Sequence, residues 1–132
     1  MAKRAGSVVF LDTHVVAWLY DAMVGKLSQA AVDAIEHCTT LVVSPMVRLE
    51  LGYLHEIGRI LAPPAEILTE LRQTIGLSES APGLSTVVAA AADMDWTGDT
   101  FDRLIVAEAK TRAAELVTKD ARIRQHYERA VW

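Results

Sequence analysis

Apolar residues in this chain follow two different periods. Val8 to Leu11 is an unbroken β-branched and apolar run, which predicts a short buried strand. Leu41 to Val43 predicts a second strand and Leu116 with Val117 a third, while Val131 and Trp132 suggest an edge strand. Between these runs the apolar positions recur at helical spacing. Val15 to Tyr20 predicts a short helix, and Ser28 can cap another that reaches about His37. Ser44 and Pro45 supply a cap and then a proline at the first helical position. That helix should run to Gly58, a suitable C-cap. Pro63 and Pro64 open a further helix that ends near Gly76. Ser85 can cap an alanine-rich helix from Thr86 to about Asp95, and Trp96 to Gly98 reads as a loop. Thr100 to about Ala114 and Arg122 to Arg129 are also expected to be helical. Short strands alternating with longer helices predict an α/β fold, with a central parallel sheet covered on both faces: three layers, α/β/α. In such folds ligands bind outside the C-terminal ends of the strands.

Several acids interrupt this pattern. Asp12 directly follows the first strand and Asp120 lies just past the third, so both belong on the ligand-binding rim. At roughly 100° per residue, Glu50 falls among Met46, Val47, Tyr53, Leu54 and Ile57 on its helix. The same rotation sets Asp102 beside Ile105, Val106, Ala109 and Ala113. A carboxylate within an apolar stripe costs free energy unless something compensates it. Taken singly, each acid has an ordinary reading. Asp12 suits a turn, and Asp120 a helix cap. Glu50 could join a buried ion pair with Arg48 or Arg103, and Asp99 with Asp102 forms a capping box. All four convening on one rim by coincidence is a weaker account. Four close carboxylates cannot all stay ionised without positive charge between them. The usual compensation is one or two hard divalent cations, Mg²⁺ or Mn²⁺. Such ions can activate water for phosphodiester displacement.

Composition narrows the alternatives. The chain has 132 residues, enough for one domain, with 52% hydrophobic and 23% charged residues. The slightly high apolar fraction leaves surface for a partner or a second copy. Cys38 is the only cysteine, which excludes an internal disulfide and a Cys-based zinc site and points to a reducing compartment. The run from Val8 stops at Asp12, too short for a signal-peptide core. No stretch approaches the roughly 18 apolar residues of a membrane span, so a soluble, cytoplasmic protein is expected. The net charge of −4 counts mildly against nucleic-acid binding, but an acidic metal site lowers net charge by itself. Arg103, Lys110, Arg112, Lys119, Arg122, Arg124 and Arg129 gather in the last quarter, interspersed with acids as on a solvated helix surface. His14 lies two residues from Asp12, where it could meet substrate, although a packed or surface role is the ordinary reading. Trp18, Trp96 and Trp132 could stack on bases, although such residues more often serve a core or interface.

Four segments together resemble the PIN-domain ribonucleases, and in particular the toxin half of virulence-associated toxin–antitoxin pairs. V-F-L-D-T-H at residues 9–14 resembles the family's first strand with its metal-binding Asp. S-P-M-V-R-L-E-L at 44–51 resembles the helix that carries its Glu, and D-T-F-D-R-L-I-V-A-E-A at 99–109 its D-P-F-D-R block. L-V-T-K-D at 116–120 resembles its last strand. Thr100 stands where many relatives have proline, and either residue suits a helix start. The resemblance implies that Asp12, Glu50, Asp102 and Asp120 are metal ligands or general-base positions, with Asp99 an outer ligand or only a cap. Thr118, and Thr13 beside Asp12, would orient carboxylates. It further implies Mg²⁺- or Mn²⁺-dependent endonuclease cleavage of RNA to a 5′-phosphate and a 3′-hydroxyl, a homodimer and a protein antitoxin. Transfer, ribosomal and messenger RNA all remain open as substrates.

Three other readings compete. A receiver-type signalling module wants adjacent acids after its first strand, but Thr13 follows Asp12, and Ser44 ends the second strand where a phospho-acceptor Asp would stand. A haloacid-dehalogenase-like phosphatase wants a second Asp at the position held by His14. A non-catalytic scaffold of the same fold would have no reason to keep costly inward-facing acids.

Overall fold

The structure, a computed structural model, describes residues 6–132. Its elements run β1 (Val8–Leu11), α1 (Thr13–Tyr20), a 3₁₀ turn (Val24–Lys26), α2 (Gln29–His37), β2 (Thr40–Val43), α3 (Pro45–Glu56) and α4 (Pro64–Ile75). There follow β3 (Ser78–Glu79), α5 (Leu84–Ala91), α6 (Thr100–Thr111), β4 (Glu115–Val117), α7 (Ala121–His126) and β5 (Ala130–Val131). All strand pairs are parallel, in the order β3-β2-β1-β4-β5. This is the expected α/β/α arrangement.

The central strand is β1. Val9 pairs with Leu41 on one side and Glu115 on the other, and Phe10 with Val42 and Leu116. Val9, Phe10 and Leu11 are all 0% exposed. A parallel strand covered on both faces has no polar side, which is why its sequence is a run and not an alternation. Chain order reverses around β1, because β2 lies on one side and β4 on the other. The crevice between the C-terminal ends of β1 and β4 is therefore the topological switch point, where such sheets bind ligands.

Local chemistry accounts for most helix ends. The hydroxyls of Ser28 and Ser44 accept hydrogen bonds from Ala31 N and Met46 N, capping α2 and α3 as expected. Gly76 ends α4 with φ +73°, a left-handed conformation that glycine adopts without strain. Other ends differ from expectation. Gly83 occupies the cap position of α5, which places Ser85 inside the first turn, and that helix stops at Ala91, not Asp95. In α3 the C-cap is Ile57, one residue before Gly58. α6 ends at Thr111, and α7 covers only Ala121–His126. Edge strand β5 begins at Ala130, one residue earlier than expected. The two-residue strand β3 is too short to leave an apolar signature.

The stripe on α3 also needs correction. Val47 and Leu51 are its buried positions, while Tyr53 and Ile57 are about half exposed. Glu50 thus lies at the margin of the buried face and not in its middle. On α6 the buried stripe holds Ile105, Val106 and Ala109, but Ala113 falls beyond the helix and is exposed. No helix among the described residues is long and apolar enough to cross a membrane.

Tyr127 ties the chain after α7 to the start of β4. It is buried, and its hydroxyl donates to the Ala114 carbonyl at 2.5 Å. Burial pushes its phenol up to about 12. Replacing it with Phe leaves that carbonyl without its donor, and Tyr127→Phe is expected to lose about 1–2 kcal/mol of stability. Urea unfolding would read this as a lower midpoint with an unchanged slope.

Candidate active site

Asp12 follows the last residue of β1, and its backbone N donates to the Val117 carbonyl of β4 at 3.0 Å. The carboxylate therefore sits at the switch point, with only 6% of the residue exposed. It caps α1. Oδ1 accepts from Thr13 N at 2.8 Å, and Oδ2 accepts from the Thr118 hydroxyl at 2.6 Å. Burial raises its proton affinity, and these two hydrogen bonds, from Thr118 and Thr13, pull it back.

Thr118 joins two of the candidates. Fully buried just past β4, its hydroxyl donates to Asp12 and accepts from Asp120 N at 3.1 Å, while its own N donates to the Val131 carbonyl of β5 at 3.2 Å. Asp120 is exposed and caps α7, accepting from Ile123 N at 2.9 Å. Thr13, also buried, donates its hydroxyl to Glu50 Oε1 and so bridges α1 to α3. Burial raises the proton affinity of Glu50 most; the Thr13 bond lowers it, and repulsion from Asp12 and Asp99 raises it again.

Asp102 lies in the first turn of α6, half-buried. Its backbone N donates to Asp99 Oδ1 at 3.1 Å, so Asp99 is the cap. Burial, together with repulsion from Asp12, Asp99, Asp120 and Glu50, pushes its carboxyl up to about 7. Asp102 is therefore within electrostatic reach of all four other acids at this rim. The Trp96–Gly98 loop that presents Asp99 is itself pinned, because Thr97 Oγ1 accepts from Asp99 N at 3.1 Å and the Thr97 carbonyl accepts from Arg103 Nε at 2.7 Å.

Neither arginine considered as a partner for Glu50 serves that role. Arg48 pairs with Glu79 at 2.6 Å, and Arg103 holds Thr97. Sequence reasoning missed Glu108, which is 1% exposed within α6 and accepts from the Ser80 hydroxyl. Its place inside the run I-V-A-E-A was the available signal. The contact between Thr13 and Glu50 had no such signal, since it arises only when α1 packs on α3.

The acids and threonines offer oxygen alone, the donor class of a hard divalent cation. Each carboxylate oxygen of Asp12 accepts one hydrogen bond and keeps a further lone pair. As the side chains stand, no group of three or more His, Cys, Asp or Glu among the described residues is spaced to hold a metal ion. A cation here would have to draw the carboxylates together against their present separation.

Residues 9–129 match the family described as the PIN domain. The chain belongs to that family. It is 39% identical over 125 residues to Ribonuclease VapC22 of Mycobacterium tuberculosis, covering 91% of this chain and 92% of that protein. Two solved structures share the fold. VapBC-1 from nontypeable Haemophilus influenzae superposes with a TM-score of 0.64 at 14% identity, covering 89% of this chain and 90% of that one. VapBC2 from Rickettsia felis, bound to a promoter DNA fragment, gives 0.61 at 15% identity, covering 89% and 92%. In this PIN domain the family match begins at Val9, within β1 and three residues before Asp12.

The crowding of acids has a consequence for stability. In the folded chain Asp102 holds its proton up to about pH 7, against 3.8 for an ordinary Asp. Its contribution is full below about pH 4 and is lost as pH rises through about 7. Asp12 and Glu50 are shifted in the same direction. Metal-free protein should therefore melt at a lower temperature at pH 8 than at pH 5. Asp102→Asn should remove part of that fall and stabilise the pH 8 form by about 1–2 kcal/mol, after discounting for solvent screening. Thermal melts of both proteins in chelator check this, and equal pH dependence would contradict it.

Proposed function

We propose that the chain is a metal-dependent endoribonuclease that hydrolyses RNA phosphodiester bonds, as the toxin of a type II toxin–antitoxin pair. The observation that carries this reading is the gathering of Asp12, Glu50, Asp99 and Asp120 around Asp102 at the sheet's switch point, tied together through Thr13 and Thr118. No cationic side chain is bonded to these carboxylates among the described residues. The nuclease name of a relative 39% identical over most of both chains supports the same reading.

Asp12, Glu50, Asp102 and Asp120 would hold one or two Mg²⁺ or Mn²⁺ ions, with Asp99 an outer ligand. Such ions, when bound, lower the pKa of water and offset charge developing on the phosphoryl oxygens. The chain's own part is to orient and to accept a proton. Thr118 and Thr13 fix the two oxygens of Asp12, and Thr13 turns Glu50 toward it. One carboxylate of the group takes the proton of the attacking water. The water oxygen bonds to phosphorus as the bond to the 3′ oxygen breaks, and that oxygen takes a proton from solvent, which leaves a 5′-phosphate and a 3′-hydroxyl.

A protein antitoxin fits this reading, because both solved neighbours are VapBC assemblies. Leu49 and Tyr53 on α3 and Ile57 at its C-cap recur every four residues and are each about half exposed or more. Leu84 and Val88 repeat that spacing on α5. These apolar positions suit an antitoxin or the second copy of a homodimer. A cytoplasmic location accords with an RNA substrate and a single buried thiol.

Asp12→Asn retains the size of the side chain and an oxygen for Thr13 N. It should lower Mn²⁺-dependent cleavage of a mixed RNA pool by roughly a hundredfold or more while the protein stays folded by circular dichroism. Cleavage at the wild-type rate by this variant contradicts the assignment.

A further inference from the structure

Three aromatic side chains lie side by side at the edge of the acidic rim, and the chemistry described so far uses none of them. His14 and Trp18 are one turn apart on α1, with ring centres 6.3 Å apart and planes inclined at 50°. Trp132 lies beyond Trp18, at 6.0 Å and 52°. Both pairs are tilted contacts at ordinary aromatic spacing.

Strand register places Trp132 at the rim. Val131 pairs with Val117, and Thr118 N donates to the Val131 carbonyl, so Trp132 lies level with the strand end that carries Thr118. His14 begins at the same rim, two residues after Asp12. It is close enough to favour the charged forms of both Asp12 and Glu50. The row thus starts beside the acids and leads away from them. One side of it is open to solvent: His14 is exposed, while Trp18 and Trp132 are half-buried and rest on the core. Cations accompany it. The Lys26 ammonium lies 5.6 Å from the centre of the Trp18 ring, and Lys119 is exposed between Thr118 and Asp120. Aromatic faces interleaved with cations, open to solvent, bind single-stranded nucleic acid without regard to sequence. Bases stack on the rings, and the cations follow the backbone. A duplex offers its bases only inside its own stack.

We infer that His14, Trp18 and Trp132 form a stacking platform for unpaired bases of the RNA next to the cleaved bond. The inference rests on the nuclease reading and adds the side chains that hold the bases. A protein segment laid over the same rings is the competing occupant.

The test uses a mixed-sequence RNA of about twelve nucleotides, either single or annealed to its complement, with full-length protein carrying Asp12→Asn so that the strand survives. Fluorescence anisotropy should show the single strand bound more tightly than the duplex. Adding Trp132→Ala should weaken single-strand binding about tenfold, and Trp132→Phe should restore most of that affinity. His14→Ala, at an exposed position, should weaken it about threefold and stands as the second variant if Trp132→Ala does not fold. The dependence of affinity on salt should keep its slope in all variants, because stacking releases no counterions. Equal affinity for the duplex, or affinity indifferent to both His14 and Trp132, overturns the platform and leaves a protein as the occupant. Cleavage is scored separately, with wild type and Mn²⁺. A strand bound through the rings but never cut would defeat the nuclease reading and not the platform. A strand cut by wild type whose binding ignores the rings would do the reverse.

Discussion

Like charges that cannot separate are the constraint on which this structure depends. The sheet order β3-β2-β1-β4-β5 opens a crevice beside β1, and Asp12 is covalently fixed at its mouth. Because Asp12 is almost wholly buried, its charge must be held by neighbours, and Thr13 N and the Thr118 hydroxyl do so. Each of those residues has a second task. Thr13 reaches Glu50, and Thr118 accepts from the backbone of Asp120. Glu50 and Asp120 are thereby held, like Asp12 itself, within electrostatic reach of Asp102, whose carboxyl is pushed to about 7. The fold carries this repulsion as a standing cost to its own stability. Such costs concentrate at functional sites.

The acids are held from the backbone outward. Asp12, Asp99 and Asp120 are each the N-cap of a helix, so satisfying an orphaned N–H group also fixes the carboxylate at the rim. Asp99 and Asp120 were read as caps or as site residues; the geometry makes them caps, and that role is compatible with the other. The loop before α6 gains rigidity from Arg103, which bonds to the Thr97 carbonyl across the turn.

Much of the fold was readable in the chain because its signals are local. The run from Val8 to Leu11 and the caps at Ser28, Ser44 and Gly76 each depend on a few adjacent residues. Asp12 and Asp102 could be singled out because an acid next to an apolar run breaks a pattern. What the chain hid is what depends on packing. β3 has only Ser78 and Glu79, and it exists because β2 offers an edge. Gly83 displaced Ser85 as the cap of α5 through backbone geometry that a side-chain preference does not report. The face of α3 was misjudged, since Leu51 is buried while Tyr53 and Ile57, expected inside, are about half exposed. The partners of Arg48 and Arg103 lie at separations along the chain that no spacing rule reaches. The aromatic row joins α1 to the strand end at Trp132, more than a hundred residues away in sequence.

The central claim is that these carboxylates await a divalent cation, and titration calorimetry of partner-free protein with Mn²⁺ tests it without knowledge of the RNA. Wild type is to be compared with Glu50→Gln, which keeps an oxygen for the Thr13 hydroxyl but loses the charge. The account predicts saturable binding by wild type, accompanied by proton release near pH 7, and binding lost or weakened at least tenfold in the variant. Equal binding by the two proteins would remove Glu50 from the site, and no binding by either would contradict the claim itself.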